Sequence, residues 1–188
     1  MTDDCVFCRI VAGDLSAGRL LLEQHTGALD FDRIVAGDEV RLTIPGGGLF
    51  QRTEGTGIRA HSLAINASAA IGTPITFVEI ELAAEGELAV EAPGGVHLRS
   101  VALLNVGLVS TVNADVTLEV QGDVYLDQIQ ISSPAGTVPN GIVSIFCDRA
   151  MYDRRDADVT PQPDAWSNID APFAVLNART GIGTASNP

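Results

Sequence analysis

Apolar and polar residues alternate along most of this chain with period two. That is the spacing of a β-strand, whose successive side chains point to opposite faces. The alternation also recurs. The segment from Glu87 to Val101 returns 28 residues later, from Asp115 to Ile129. Apolar residues hold matched places in the two copies: Leu88/Val116, Val90/Leu118, Val96/Val124, Leu98/Leu126 and Val101/Ile129. The copies share a glycine, Gly94/Gly122, and an acid, Glu91/Glu119. Weaker echoes link Val40–Gly47 with Leu88–Gly95, Leu20–Ile34 with Val116–Ile129, and Leu63–Thr73 with Ala174–Thr184. Recurrence on this scale marks a solenoid or an array, in which one unit cannot bury its apolar face alone and stacked units can.

No window shows a sustained helical period. Gly, Asn, Pro and Ser fill the gaps between apolar runs and supply tight turns, with Asn140-Gly141 the clearest single signal. The expected fold is all-β, a right-handed parallel β-solenoid with coils of about 20–28 residues. An antiparallel β-sandwich is the alternative, because short strands at regular spacing suit it too. The chain divides into an N-terminal cap (1–18), β-solenoid repeats (19–147), an irregular insertion loop (148–172) and the start of a further repeat (173–188). Inward positions such as Val124 form a continuous apolar row. Outward positions (Ala89, Glu91, His97, Arg99, Thr117, Glu119, Tyr125 and Asp127) face water.

Composition sharpens this picture. Hydrophobic residues make up 46% of the 188, so the chain is no disordered segment. Aromatics are only 5%, and the small branched residues that remain suit evenly stacked strands. The net charge is −13, and every base is arginine. Such a surface opposes nucleic-acid binding through phosphates and docking on anionic lipid. No run of 18 apolar residues exists, so no membrane insertion is expected. The acidic start Met1-Thr2-Asp3-Asp4 lacks the basic region of a signal peptide.

Two resemblances follow from particular residues. The motifs Gly-Asp-Val-x-Leu-Asp-x-Ile (122–129), Ala-Asp-Val-Thr-Leu-Glu-Val (114–120) and Gly-Ile-Gly-Thr-Ala-Ser-Asn-Pro (181–188) resemble the repeats of large filamentous-haemagglutinin-type exoproteins. The likeness covers residues 13–147 and 173–188. It implies a parallel β-helix acting as an adhesin-like structural segment, extracellular or at the cell surface as part of a larger protein. It brings no catalytic residues, so no enzyme is expected. The start, Asp4-Cys5-Val6-Phe7-Cys8-Arg9-Ile10-Val11-Ala12-Gly13, instead resembles a histidine-triad nucleotide hydrolase. That family's His-x-His-x-His cluster is missing, since His25, His61 and His97 lie far apart. A degenerate zinc- or nucleotide-binding module is therefore the alternative function. A fused or designed β-repeat chain without natural function is a third reading.

The candidate sites are few. Cys5 and Cys8 form half of a zinc site, which wants four nitrogen or sulfur ligands, and His25 is a further possible ligand. No other cofactor is implied. The pair also reads as a redox couple or as incidental, and Cys147 stands alone. Gly46-Gly47-Gly48 lacks the Gly-Lys-Ser/Thr ending of a phosphate loop and reads as a turn. Asn66-Ala67-Ser68 fits a glycosylation sequon. Asp153, Asp156 and Asp158 read as a solvated loop. Tyr152 and Trp166 are the candidate partner contacts, because exposed aromatics dominate interfaces. The expected partners are a host surface, or a further copy met through the open ends of the solenoid.

Overall fold

The structure, a computed structural model, describes residues 18–55, 57–154 and 168–183. Among them the chain is all-β with no helix, wound into stacked coils of a β-solenoid of about six turns. The first sheet contains β1 (Leu20–Glu23), β4 (Glu39–Ile44), β7 (Ser62–Ala67), β9 (Leu88–Glu91) and β11 (Leu104–Val112). It continues through β13 (Val124–Leu126), β14 (Ile129–Ser132), β16 (Ala150–Asp153), β17 (Ile169–Asp170) and β19 (Gly181–Ile182). The second sheet contains β3 (Ile34–Val35), β6 (Ile58–Ala60), β8 (Val78–Leu82), β10 (Val96–Ser100), β12 (Val116–Val120), β15 (Ile142–Cys147) and β18 (Phe173–Ala178). A small third ladder joins β2 (Leu29–Phe31) to β5 (Leu49–Gln51).

Every ladder is parallel, each strand lying on the same strand of the coil before it. The antiparallel sandwich is thereby excluded. Stacking places like on like. Leu29, Leu49, Ile71, Val96, Val116 and Val143 form one continuous row, all buried. Leu42, Ile65, Val90, Val109 and Ile129 form a second, facing row on the first sheet. Each such side chain contributes roughly 1.5–3 kcal/mol on burial. The two rows close one hydrophobic core along the whole stack.

Val96 pairs with Val116 and Leu98 with Leu118, a coil of 20 residues, and the tightest coil is shorter still, Leu88 pairing with Val106 eighteen residues on and Val90 with Val109 nineteen on. Val116 pairs with Val143 twenty-seven residues on, because the turn segment 133–141 is inserted between β14 and β15. The 28-residue recurrence in the sequence is therefore not the stacking period. Leu88 belongs to the first sheet and Val116 to the second, so these matched residues never stack. What recurs is a strand–glycine corner–strand unit, used once from first sheet to second (β9–β10) and once from second to first (β12–β13).

Within the stretch 148–172, Ala150–Asp153 and Ile169–Asp170 are strands of the first sheet. Tyr152 stands on Tyr125 in register, which is why a segment rich in charge still joins the ladder. Polar Ser100 and Thr111 are buried among the inward rows, and so is Gln51, stacked above Phe31. Its amide donates to the carbonyls of Thr53 and Gly55, at 2.6 Å each, and its oxygen accepts the Glu79 N–H at 2.8 Å. Fully satisfied in this way, it ties one coil to the next instead of destabilising the core.

Candidate functional site

The outer faces of the two sheets carry the chain's polar chemistry, and stacking decides what meets there. On the second sheet Glu79, Arg99 and Glu119 lie in one row, one residue per coil. The Arg99 Nε donates to Glu119 Oε2 at 2.9 Å, and Nη1 reaches Glu79 Oε1 at 3.5 Å. The hydrogen bond to Glu119 is the main reason the guanidinium is held above its ordinary pKa. The Arg99 Cζ lies 4.9 Å from the centre of the Phe77 ring, a cation–π contact. Beside it, Gln51, Thr76, Phe77 and Glu79 line a cleft of about 200 Å³. Phe77 is held there by the preceding turn, in which the Thr73 hydroxyl accepts the N–H groups of Ile75 and Thr76.

That turn corrects the reading of His97. Its side chain points outward from β10, yet the residue is only 6% exposed. The edge of Phe77 covers it, with ring centroids 6.1 Å apart at 81°. His97 Nδ1 is buried with no hydrogen-bond partner among the described residues. Burial pushes the imidazole pKa down, and the charge of Asp115 opposes this only in part. Below the ordinary value of 6.5 the unfolded chain takes up a proton that the folded chain resists, so stability present above pH 6.5 is lost as pH falls. A His97→Phe variant is expected to flatten the urea midpoint between pH 6.5 and 5. The wild type should fall relative to it by at most about 1.4 kcal/mol per pH unit, the slope for one proton. Parallel profiles for the two proteins would show that His97 titrates freely.

On the outer face of the first sheet Tyr152 stacks on Tyr125, ring centroids 5.0 Å apart and planes at 21°. Next to them Arg154 Nη1 pairs with Glu87 Oε2 at 3.0 Å and Asp127 Oδ2 at 3.3 Å. Asn168 donates to the Leu126 carbonyl and to Asp153 Oδ1, each at 2.9 Å, and fixes the chain where it returns to the sheet. The result is a firm, mixed aromatic and charged patch whose side chains are already engaged with one another.

The other candidates are dispersed. Cys5, Cys8, Asp156, Asp158 and Trp166 lie outside the described residues. Cys147 is a free, buried thiol, its pKa raised by burial. His25 faces Glu23 at 3.4 Å, and His61 faces the Ser62 hydroxyl at 3.1 Å, on different coils. Gly46 and Gly47 turn tightly against residues 25–28. Asn66 is exposed and donates to Glu91. Among the described residues no three His, Cys, Asp or Glu side chains are placed to hold a metal ion.

Sequence reasoning missed the Glu79–Arg99–Glu119 ladder. Its signal was present as alternating charge at 20-residue intervals, hidden by attention to the 28-residue echo. Gln51 carried no signal, because nothing local distinguishes a core glutamine from a loop one. No helix among the described residues is long and apolar enough to cross a membrane. Comparison of the chain with family models, with curated proteins and with solved structures finds no match.

Proposed function

We propose that this chain is a structural, adhesin-like segment of a larger repetitive surface or secreted protein, extracellular in location, which presents a rigid β-solenoid face and performs no catalysis. The observation that carries the reading is the continuous core. Two unbroken apolar rows run through successive coils, so each coil holds its neighbours in fixed register. A solenoid of this kind is a quasi-one-dimensional spacer whose long faces can be decorated without disturbing the interior. The outer rows fit that use. Glu79, Arg99 and Glu119 bond to one another along the stack, as do Glu87, Arg154 and Asp127, so the face is stiff as well as polar. The Tyr125–Tyr152 stack is the candidate contact point for a partner surface.

The test is adhesion under flow. Beads coated with the chain should stay on epithelial monolayers at shear that removes albumin-coated beads, and a Tyr125→Ser/Tyr152→Ser variant should detach sooner. Detachment of wild-type beads at the albumin rate would remove the adhesive role. Turnover of any substrate by the purified chain would remove the purely structural one.

A further inference from the structure

We infer that Asn140 is a site of spontaneous covalent modification: its side chain closes on the backbone nitrogen of Gly141, ammonia leaves, and the folded chain ages into a form with an extra carboxylate at the corner between β14 and β15. This goes beyond the structural role proposed above and does not depend on adhesion.

Asparagine is a thermolabile residue, and the residue after it governs how fast it reacts. The attacking atom is that residue's amide nitrogen, and glycine leaves it without a side chain to shield it. Asn140 is the one asparagine of the chain that glycine follows. The fold keeps the glycine in place. Gly141 has φ +149°, and a Cβ there would stand 2.8 Å from the Ala114 carbonyl oxygen.

The reacting groups are also free. The turn before them is stapled, with Ser133 Oγ donating to the Thr137 carbonyl at 2.8 Å and Thr137 N–H to the Pro134 carbonyl at 3.1 Å. Past Thr137 the hold weakens, and both Val138 and Asn140 are exposed. Two pegs from the preceding corner then catch the chain. The Asn140 N–H donates to Asn113 Oδ1 at 3.1 Å, and the Ile142 N–H to Asp115 Oδ1 at 2.8 Å. Between the pegs, the Gly141 N–H and the Asn140 side chain have no hydrogen-bond partner among the described residues. Asn66, Asn105, Asn113 and Asn168, by contrast, all hold their side chains in hydrogen bonds. Asn177 precedes Ala178, whose methyl group shields the nitrogen.

The reaction needs only water. The Gly141 nitrogen gives up its proton and bonds to Asn140 Cγ, closing a cyclic imide. The Cγ–Nδ2 bond breaks, and Nδ2 leaves as ammonia, the proton returning to it through solvent. Water then opens the ring. Attack at Cγ gives aspartate. Attack at the Asn140 backbone carbonyl carbon gives isoaspartate, in which the main chain runs through Cγ. Isoaspartate therefore inserts the Cβ methylene into the backbone between the two pegs, so Asn113 and Asp115 can no longer hold both nitrogens. It also sets a carboxylate beside Asp115, a like charge. Ile142 begins β15, so the corner that loosens is the joint between the two sheets in that coil.

The experiment is a timed incubation of the folded chain at neutral and mildly alkaline pH, with Asn140→Gln in parallel. Ion exchange and peptide mapping follow the products. Glutamine keeps an exposed amide but must close a larger, slower ring. The wild type should accumulate an acidic form altered at Asn140, faster at alkaline pH because the nitrogen reacts after losing its proton. Its rate should lie within about tenfold of that in the guanidinium-unfolded chain, and Asn140→Gln should form acidic species at least about tenfold more slowly. Hydrogen exchange at Ile142 should be faster in the isolated acidic form than in fresh protein. An Asn140 that stays intact in the folded chain after the unfolded chain has converted overturns the proposal. So does an acidic form that appears equally fast in Asn140→Gln. Unchanged protection of Ile142 in the modified form would overturn the loosened corner.

Discussion

Val124→Asp is expected to abolish the cooperative loss of β-sheet signal on urea unfolding, while Tyr125→Asp, one residue along, leaves it in place. Val124 is completely buried, paired on one side with Leu104 and on the other with Met151. The substitution forfeits about 1.5–3 kcal/mol of burial. It also leaves a carboxylate with no partner inside the core, at a cost of several kcal/mol more. A whole domain is stable by only about 5–15 kcal/mol, so the sum takes most of it. Because each coil leans on its neighbours, disruption at β13 also removes support from β11 and β16. Tyr125 points the other way. Its loss costs the stack on Tyr152, on the order of 0.5–1.5 kcal/mol, and leaves the core intact. Equal damage from both substitutions would overturn the assignment of inner and outer faces.

The contrast between these neighbouring residues shows what the sequence made legible. Period two specifies which side chains share a face, and that alone separated Val124 from Tyr125. Stacked Val and Leu rows made a parallel solenoid readable as well. The register was not. Val96-x-Leu98-Arg99 and Val116-x-Leu118-Glu119 are the units that pair, and their charges complete one another. The longer likeness at 28 residues obscured them, because a strand–corner–strand unit looks the same whichever sheet it starts from. His97 illustrates a different limit. Alternation correctly directs it outward, but burial comes from Phe77, brought over by a turn in the preceding coil. Such cover is a tertiary event with no local signature. Gln51 is the same case inverted, an ordinary polar residue held inside by three hydrogen bonds.

The glycine shared by the two sequence copies yields the second large effect. Neither Gly94 nor Gly122 has the left-handed backbone that usually explains a glycine, so the reason lies in space. A Cβ on Gly94 would stand 2.5 Å from the backbone nitrogen of Ala70, and one on Gly122 would stand 2.6 Å from that of Leu103. Both neighbours belong to the corner of the preceding coil, and both are backbone, which cannot swing aside as a side chain can. Gly94→Ala and Gly122→Ala should each destabilise the chain by about 1–3 kcal/mol or more, the range for overpacking a close-packed contact. Stiffening the unfolded chain returns only about 0.4–1 kcal/mol, so the clash decides the sign. Gly18→Ala is the control, since among the described residues nothing lies within 4 Å of its added methyl and its backbone is unremarkable. Urea midpoints for the three variants settle the matter. If the coils approach this closely at their corners, both corner variants fall well below wild type while Gly18→Ala matches it. Midpoints that coincide for all three would mean the corners are looser, and that the glycine recurs for the turn alone.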